Sequence, residues 1–378
     1  MEKIKKYSFW GGVLLTAALW IWGSIMLCAL VPGQNAGTAD GAKWDVTGTF
    51  AQELTNRISP MVSEAIPTMK VSYRLNDSDL VAPEPNPQGY LRTQNVAEAM
   101  DVVNQAEALL DGQATLFSGD TAIKEGSTIT CYRDDTILAL TWKEAINGCC
   151  YTFAEVKIAD ASQMRRFLAD GKYNSGQLYT TTEMAASINA VVASSGDYYG
   201  YRTFGVVVNE GHVYRGKGLF LDTCYIDDKG DLLFTYAKEI LDENAAQAFV
   251  DANNVRFSLS FGPVMVLEGK NVVPTNYNSG EINKPYSRAA LCQLGSLHYL
   301  VVTANSEDPC YRVPTVTRFA DVLSEKGIPT AYALDGGQTA TIVMDDQVIN
   351  TVSYGSQREI SDIFYFATAI PSNKEVGK

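Results

Sequence analysis

The chain changes its hydrophobic rhythm twice. Ser8 to Val31 carries no charged residue, and a helix of about 20 such residues is enough to cross a bilayer. Lys3, Lys5 and Lys6 precede it, and Trp10, Trp20 and Trp22 suit interfacial or lipid-facing positions. The run therefore reads as an uncleaved signal anchor, single-pass, with the N-terminus cytoplasmic and the remainder extracellular. The competing reading is a cleaved signal peptide with Gly37-Thr38-Ala39 as its cleavage site, but such a peptide has a shorter apolar core of roughly 7–15 residues. After it the spacing turns helical. Phe50, Leu54, Ile58, Met61 and Val62 predict an amphipathic helix over Thr47–Glu64. Val96, Met100, Val103, Ala106 and Leu110 predict a second over Asn95–Leu110, with Asn95 as its cap. Between them, Asn76–Gln88 is polar and carries Pro83, Pro85 and Pro87, which predicts a linker or extended loop.

From Ala114 onward the pattern is that of strands, rich in Val, Ile, Tyr, Phe and Thr and bounded by Gly, Asn and Asp. Strands are predicted at Thr128–Arg133, Thr136–Trp142, Tyr151–Ile158, Thr203–Val208, Leu232–Ala237 and Arg256–Leu267. Five more follow at Ala289–Leu294, His298–Thr303, Thr330–Leu334, Thr341–Met344 and Ile363–Thr368. Hairpin turns are predicted at Asn209-Glu210-Gly211, Gly295-Ser296 and Asp345-Asp346. Helices are expected at Ala161–Asp170, Thr181–Val192, Ala245–Ala252 and Val316–Gly327. The fold class is α+β, centred on a large, mainly antiparallel or mixed sheet with flanking helices. The expected layout is a cytoplasmic tip and membrane anchor over 1–39, a helical stalk and linker over 40–113, and one domain over 114–378 with its core at about 150–370.

Composition narrows the function. Hydrophobic residues make up 46% of the 378 and charged residues 19%, so the chain can build a sizeable core rather than remain disordered. The formal net charge of -13 argues against a nucleic-acid partner, which requires a basic face. Apart from Cys28 there are six cysteines, and in an oxidising compartment an even set makes disulfides plausible. The histidines are His212 and His298, and no Cys-x-x-Cys spacing occurs, so no zinc set or Ser-His-Asp arrangement is predicted. No Walker loop or dinucleotide glycine fingerprint occurs either.

The most informative stretch is Tyr332 to Thr341. A short apolar run, Ala331–Leu334, ends abruptly in Asp335-Gly336-Gly337-Gln338-Thr339. An aspartate at the end of a buried strand is costly unless it has a partner or a task. Paired glycines let the backbone take angles closed to other residues and let a ligand approach the main chain. Taken by itself, the stretch fits a tight turn closed by the aspartate better than it fits a site.

Asp-Gly-Gly followed by small hydroxyl residues after a short strand resembles the signature of the phosphodiester glycosidase family. Three further segments agree in order: Tyr151–Asp160, Ala193-Ser194-Ser195-Gly196-Asp197-Tyr198-Tyr199, and Ser287-Arg288-Ala289-Ala290-Leu291. The resemblance implies a hydrolase that releases a sugar from a sugar-1-phosphodiester, here in a cell-envelope or exported glycan. It implies Asp335 and Asp197 as the acidic pair, and Arg288 with the Gly336-Gly337 amides around the phosphate. It implies Gln338, Thr339, Gly196, Tyr198 and Tyr199 as further substrate-binding residues. No cofactor is expected, and a divalent cation is left open. Arg358-Glu359 matches an arginine near the same point of the family but reads as a surface pair. The chain departs from the pattern at Ser195, where the family often has asparagine, and at Gln338, where it has glycine. Those departures favour the alternative, a non-catalytic protein that binds a glycan or envelope polymer.

Overall fold

The computed structural model describes residues 74–109, 123–124, 126–277 and 281–370. The predicted anchor and the helix over Thr47–Glu64 lie outside these residues. Among the described residues no helix is long and apolar enough to cross a membrane.

In chain order the first elements are β1 (Tyr90–Thr93), α1 (Val96–Leu109), β2 (Ile129–Arg133), β3 (Ile137–Ile146) and β4 (Cys149–Ile158). Next come β5 (Met164–Leu168), α2 (Thr181–Ser187), β6 (Val192–Ser195), β7 (Gly205–Asn209) and β8 (His212–Lys217). They are followed by β9 (Thr223–Asp227), β10 (Leu232–Thr235), α3 (Glu243–Asn253), β11 (Val255–Leu259), β12 (Val264–Leu267) and β13 (Lys270–Asn271). The C-terminal elements are β14 (Arg288–Gly295), β15 (His298–Asn305), α4 (Val316–Glu325), β16 (Thr330–Leu334), β17 (Ile342–Met344), β18 (Gln347–Val348) and β19 (Asp362–Phe366).

A nine-stranded sheet runs in the order β1-β2-β3-β4-β15-β14-β16-β12-β13. A five-stranded sheet runs β18-β17-β6-β19-β5, a three-stranded one β10-β9-β11, and β7 pairs with β8. The ladders of the large sheet and of the five-stranded sheet are antiparallel throughout. The α+β architecture with a mainly antiparallel sheet is therefore the observed one.

Two cores follow from the alternation of side chains along these strands. One face of the large sheet buries Trp142, Phe153, Leu300 and Val302 against Ala99, Val103 and Ala106 of α1 and Phe319, Ala320 and Leu323 of α4. The other face buries Val156, Leu291, Val301 and Tyr332 against Met164, Val192, Ile342, Phe364 and Phe366 of the five-stranded sheet. Each large apolar side chain so buried contributes roughly 1.5–3 kcal/mol. Helix α4 shows how the pattern works locally. The Thr315 hydroxyl caps it by accepting from the Arg318 amide, and Val316, Phe319, Ala320, Val322 and Leu323 form its buried stripe.

Several sequence expectations need correction. Residues 90–109 are not part of a separate stalk: β1 pairs with β2 in register Tyr90↔Tyr132, and α1 packs on the large sheet. The expected helix Ala161–Asp170 is one 3-10 turn, capped by Asp160 and Gln163, followed by β5. Pairing with β19 from Asp362↔Leu168 to Phe366↔Met164 overrides the local helical pattern, as tertiary context commonly does. The expected helix Thr181–Val192 ends at Ser187, and Val192–Ser195 is the central strand β6. The long strand Arg256–Leu267 is two strands, β11 and β12, broken at 260–263. Strands β8 and β9 were not anticipated. The six cysteines beyond Cys28 are all buried free thiols.

Candidate active site

Five chain segments meet at one end of the two sheets: the loops after β6 and β16, the end of β11, the start of β14 and the segment leading into β19. Asp335 is placed there by β16, whose ladder with β14 runs to Ala289↔Leu334. The turn that follows needs its glycines for different reasons. A side chain on Gly336 would run into the Ser287 carbonyl, and Gly337 adopts φ +66°, a conformation that favours glycine.

The Asp335 carboxylate is enclosed. Its Oδ1 accepts the Gly336 amide at 3.0 Å, and its Oδ2 is buried without a hydrogen-bond partner. Such groups are uncommon in folded proteins and call for a reason. Burial pushes this carboxyl up to about 6, against the opposing pull of the Thr339 hydroxyl and of Arg202 and Arg358. The group is thus poised to change charge near neutral pH, which an acid–base residue requires.

The two arginines are organised around aromatic rings. The Arg202 guanidinium lies 5.0 Å from the Tyr198 ring centroid and 4.8 Å from that of Phe261, and its Nη1 donates to the Ser260 carbonyl at 3.3 Å. The Arg358 guanidinium lies 5.2 Å from Tyr198 and 4.9 Å from Tyr201, and its Nη2 donates to the Tyr198 hydroxyl at 3.1 Å. Tyr198 and Tyr201 stack on each other with centroids 4.7 Å apart. The result is a half-buried platform of two cations and two rings beside one carboxyl. Guanidinium groups held on ring faces keep their planar forks oriented for an oxyanion.

Asp197 has another environment. Its side chain is fully buried. Its Oδ1 accepts the Tyr199 amide at 2.8 Å and faces Arg166 Nη2 at 3.2 Å, while its Oδ2 accepts the Ser260 amide at 2.8 Å. Arg166 also grips Asp362, with Nη2 at 2.8 Å and Nε at 2.9 Å from Oδ2, and donates to the Ser258 carbonyl. Burial alone would lower the Arg166 pKa; the two aspartates outweigh it and keep the guanidinium charged. Burial pushes Asp362 up, against Arg166. Asp197 is thereby a bracket that fixes the 196–201 loop to the end of β11, and both its oxygens are engaged by protein groups. Gly196 serves the same bracket, because a side chain there would overlap the Asp362 carboxylate. Tyr199 is buried, with Arg166 5.3 Å above its ring.

Arg288 is also engaged elsewhere. Its Nη2 donates to the carbonyls of Lys284 at 2.6 Å and Glu281 at 3.2 Å, and its Nε to Pro314 at 3.4 Å. Burial pushes its pKa down to about 10. It ties the 281–287 loop to the start of α4. The predicted amide cradle is likewise occupied: the Gly336 amide bonds Asp335 Oδ1, and the Gly337 amide bonds the Ser287 carbonyl at 2.8 Å. Thr339 donates its hydroxyl to the Gly336 carbonyl at 2.7 Å and holds the turn closed. Gln338 Nε2 reaches the Ser356 carbonyl at 3.4 Å, linking the turn to the segment that carries Arg358.

Of the predicted residues, Asp335 and Tyr198 meet at the platform, and Gly336, Gly337, Gln338 and Thr339 build the turn beside it. Asp197, Gly196 and Tyr199 form the buried support, and Arg288 lies outside the platform. Arg202 and Tyr201 were missed, and Arg358 was set aside as a surface pair. The available signal was the run Tyr198-Tyr199-Gly200-Tyr201-Arg202, aromatic and cationic in a loop bounded by glycine.

Comparison with known proteins falls on the same segments. Residues 187–367 match the phosphodiester glycosidase family. That stretch contains Asp197, Arg202, Arg288, Asp335 and Arg358, and the match supports a glycosidase-type hydrolase. The fold is similar to the zebrafish N-acetylglucosamine-1-phosphodiester alpha-N-acetylglucosaminidase catalytic domain, auto-inhibited by its pro-peptide in that structure. The identity is 14%, covering 68% of this chain and 87% of that one, at a TM-score of 0.50. A hypothetical protein from Synechocystis aligns over 61% of this chain and 62% of its own at 13% identity and a TM-score of 0.43. No curated protein matches the chain.

Proposed function

We propose that the domain hydrolyses the bond between a sugar and an anionic phosphodiester, acting on a cell-envelope or exported glycan from a membrane-anchored position. The observation that carries this reading is the enclosed Asp335 carboxyl, with its unpartnered Oδ2, flanked by Arg202 and Arg358. The two guanidinium groups receive the phosphodiester oxygens, for which a planar fork is well suited. The sugar lies against Tyr198 and Tyr201, whose faces pack on its apolar C–H groups. Asp335 addresses the anomeric carbon.

The chemistry needs less acid catalysis than an ordinary glycoside. A phosphate leaves with low basicity, so stabilising its charge by the arginines replaces much of the protonation a sugar alcohol requires. Asp335, ionised above about pH 6, then activates water or supports the oxocarbenium-like state. Asp197 acts through position: it fixes the loop that presents Tyr198 and Arg202.

A second reading, a binding protein without turnover, is favoured by one observation. Engagement of both Asp197 oxygens leaves Asp335 without the carboxylate partner that most glycosidases use. Release of free sugar from an α-sugar-1-phosphodiester separates the two. Turnover abolished in Asp335→Asn supports hydrolysis. Saturable binding of the same compound with no sugar released supports the binding protein.

A further inference from the structure

A second cationic site lies at the other end of β11. A cavity of about 170 Å³ is lined by Asp77, Arg165, Arg166, Asn209, Glu210, Gly211, Val255, Arg256 and Phe257. Cavities on the order of 150 Å³ hold a molecule the size of benzene, so a tetrahedral oxyanion fits with room for water. Three of the lining residues are arginines, in a chain whose net charge is -13.

Their charges are unequally satisfied. Arg166 is neutralised by Asp197 and Asp362 on the side of the bracket. Arg165 is buried; its Nη2 donates to the carbonyls of Asn76 at 3.4 Å and Asp77 at 3.2 Å. Its Nη1 is buried without a hydrogen-bond partner. Arg256 donates to the carbonyls of Ala161 and Met164 and meets Asp77 Oδ1 at 3.1 Å. Burial lowers the Arg256 pKa, and the neighbouring Arg165 and Arg74 lower it further. The carboxylates at hand are Asp77, half exposed and shared with Arg74, and the exposed Glu210. The Tyr365 hydroxyl, which burial keeps neutral, hydrogen-bonds Arg165 and lies near Arg256 and Glu210. Buried guanidinium groups are ordinarily paired, and here the pairing is incomplete.

We propose that this cavity binds a phosphate-sized oxyanion, as free phosphate or as the phosphoryl group of a monoester, at its arginine-lined wall between Arg165 and Arg256. It is separate from the Asp335 platform: Arg256 and Arg202 bond opposite ends of the β5–β11 region, at Met164 and Ser260. Asp77 competes with the anion for Arg256.

The test is calorimetric titration of the full chain with inorganic phosphate and, in parallel, glycerol 3-phosphate, at constant ionic strength set with chloride. The wild type and the Arg358→Gln variant bind phosphate, and Arg165→Gln weakens it at least tenfold. Equal binding of both probes assigns a phosphoryl group; binding of phosphate alone assigns the free ion. Asp77→Ala, an exposed position, tightens binding by removing the competitor and carries the test if Arg165→Gln does not fold. Absence of phosphate binding in the wild type overturns the proposal, as does weaker or unchanged binding in Asp77→Ala. Binding lost in Arg358→Gln but kept in Arg165→Gln places the anion at the Asp335 platform and overturns this site while leaving the platform reading intact.

Discussion

Arg358 donates to the Tyr198 hydroxyl at 3.1 Å while its guanidinium lies 5.2 Å from the same ring. One residue comes from the segment before β19 and the other from the loop after β6, so the contact joins two loops of the five-stranded sheet over the Asp335 turn. A lysine in place of Arg358 keeps the charge but loses the planar fork and the stacking. Arg358→Lys is expected to raise KM for a sugar-1-phosphodiester about tenfold or more, on the scale of the ~1–2 kcal/mol such a contact supplies when partly desolvated. A change in kcat alone, with KM kept, assigns Arg358 to the transition state rather than to binding.

Asp335 ties activity to pH with a definite sign. Burial raises its pKa to about 6, and the ionised form is the one assigned to water activation. The kcat/KM profile should therefore rise as pH increases through about 6 and then level off. Asp335→Asn should cut kcat by a factor on the order of 10² or more and remove that inflection. A flat profile in the wild type between pH 5 and 8 removes Asp335 from the chemistry.

The same carboxyl makes an opposite prediction for stability. Its folded pKa lies above its ordinary value of 3.8, so the folded state holds the proton more tightly than the unfolded state does. Stability associated with this group is present below about pH 4 and is lost as pH rises through about 6. Asp335→Asn should consequently raise stability at pH 7.5 by about 1–3 kcal/mol and change it little at pH 4. Urea unfolding at the two pH values measures the difference. A gain of equal size at both refers the effect to packing instead.

The hydrophobic pattern carried the sheet further than it carried the site. Thr330–Leu334 and Ile342–Met344 were legible because each is a short β-rich run closed by turn residues. The Asp345-Asp346 turn was legible from its residue types, and both residues adopt φ +53°. Met164–Leu168 was not, since its helical local signal is overridden only by partners some 200 residues away in β19. The same distance hid the buried bracket. Nothing near Asp197 in the chain announces Arg166 or Asp362, so a carboxylate beside glycine and tyrosines read as one of the catalytic acidic pair. Arg288 shows a related limit: it donates to three backbone carbonyls, and such acceptors leave no trace in side-chain identity.

The bracket itself supplies the strongest test of the architecture. Arg166 faces Asp197 Oδ1 at 3.2 Å and Asp362 Oδ2 at 2.8 Å, with all three side chains fully buried. Removing the cation leaves two fully buried carboxylates unpaired, and breaking such a pair commonly costs about 3–5 kcal/mol. Arg166→Met should lower stability by that amount at pH 7. Because burial already pushes the Asp362 carboxyl up and its protonation relieves the repulsion, the deficit should shrink as pH falls toward 5. If the variant unfolds at the same urea concentration as the wild type at both pH values, the loop bearing Tyr198 and Arg202 is held by something other than this bracket. The positioning role assigned to Asp197 then falls with it.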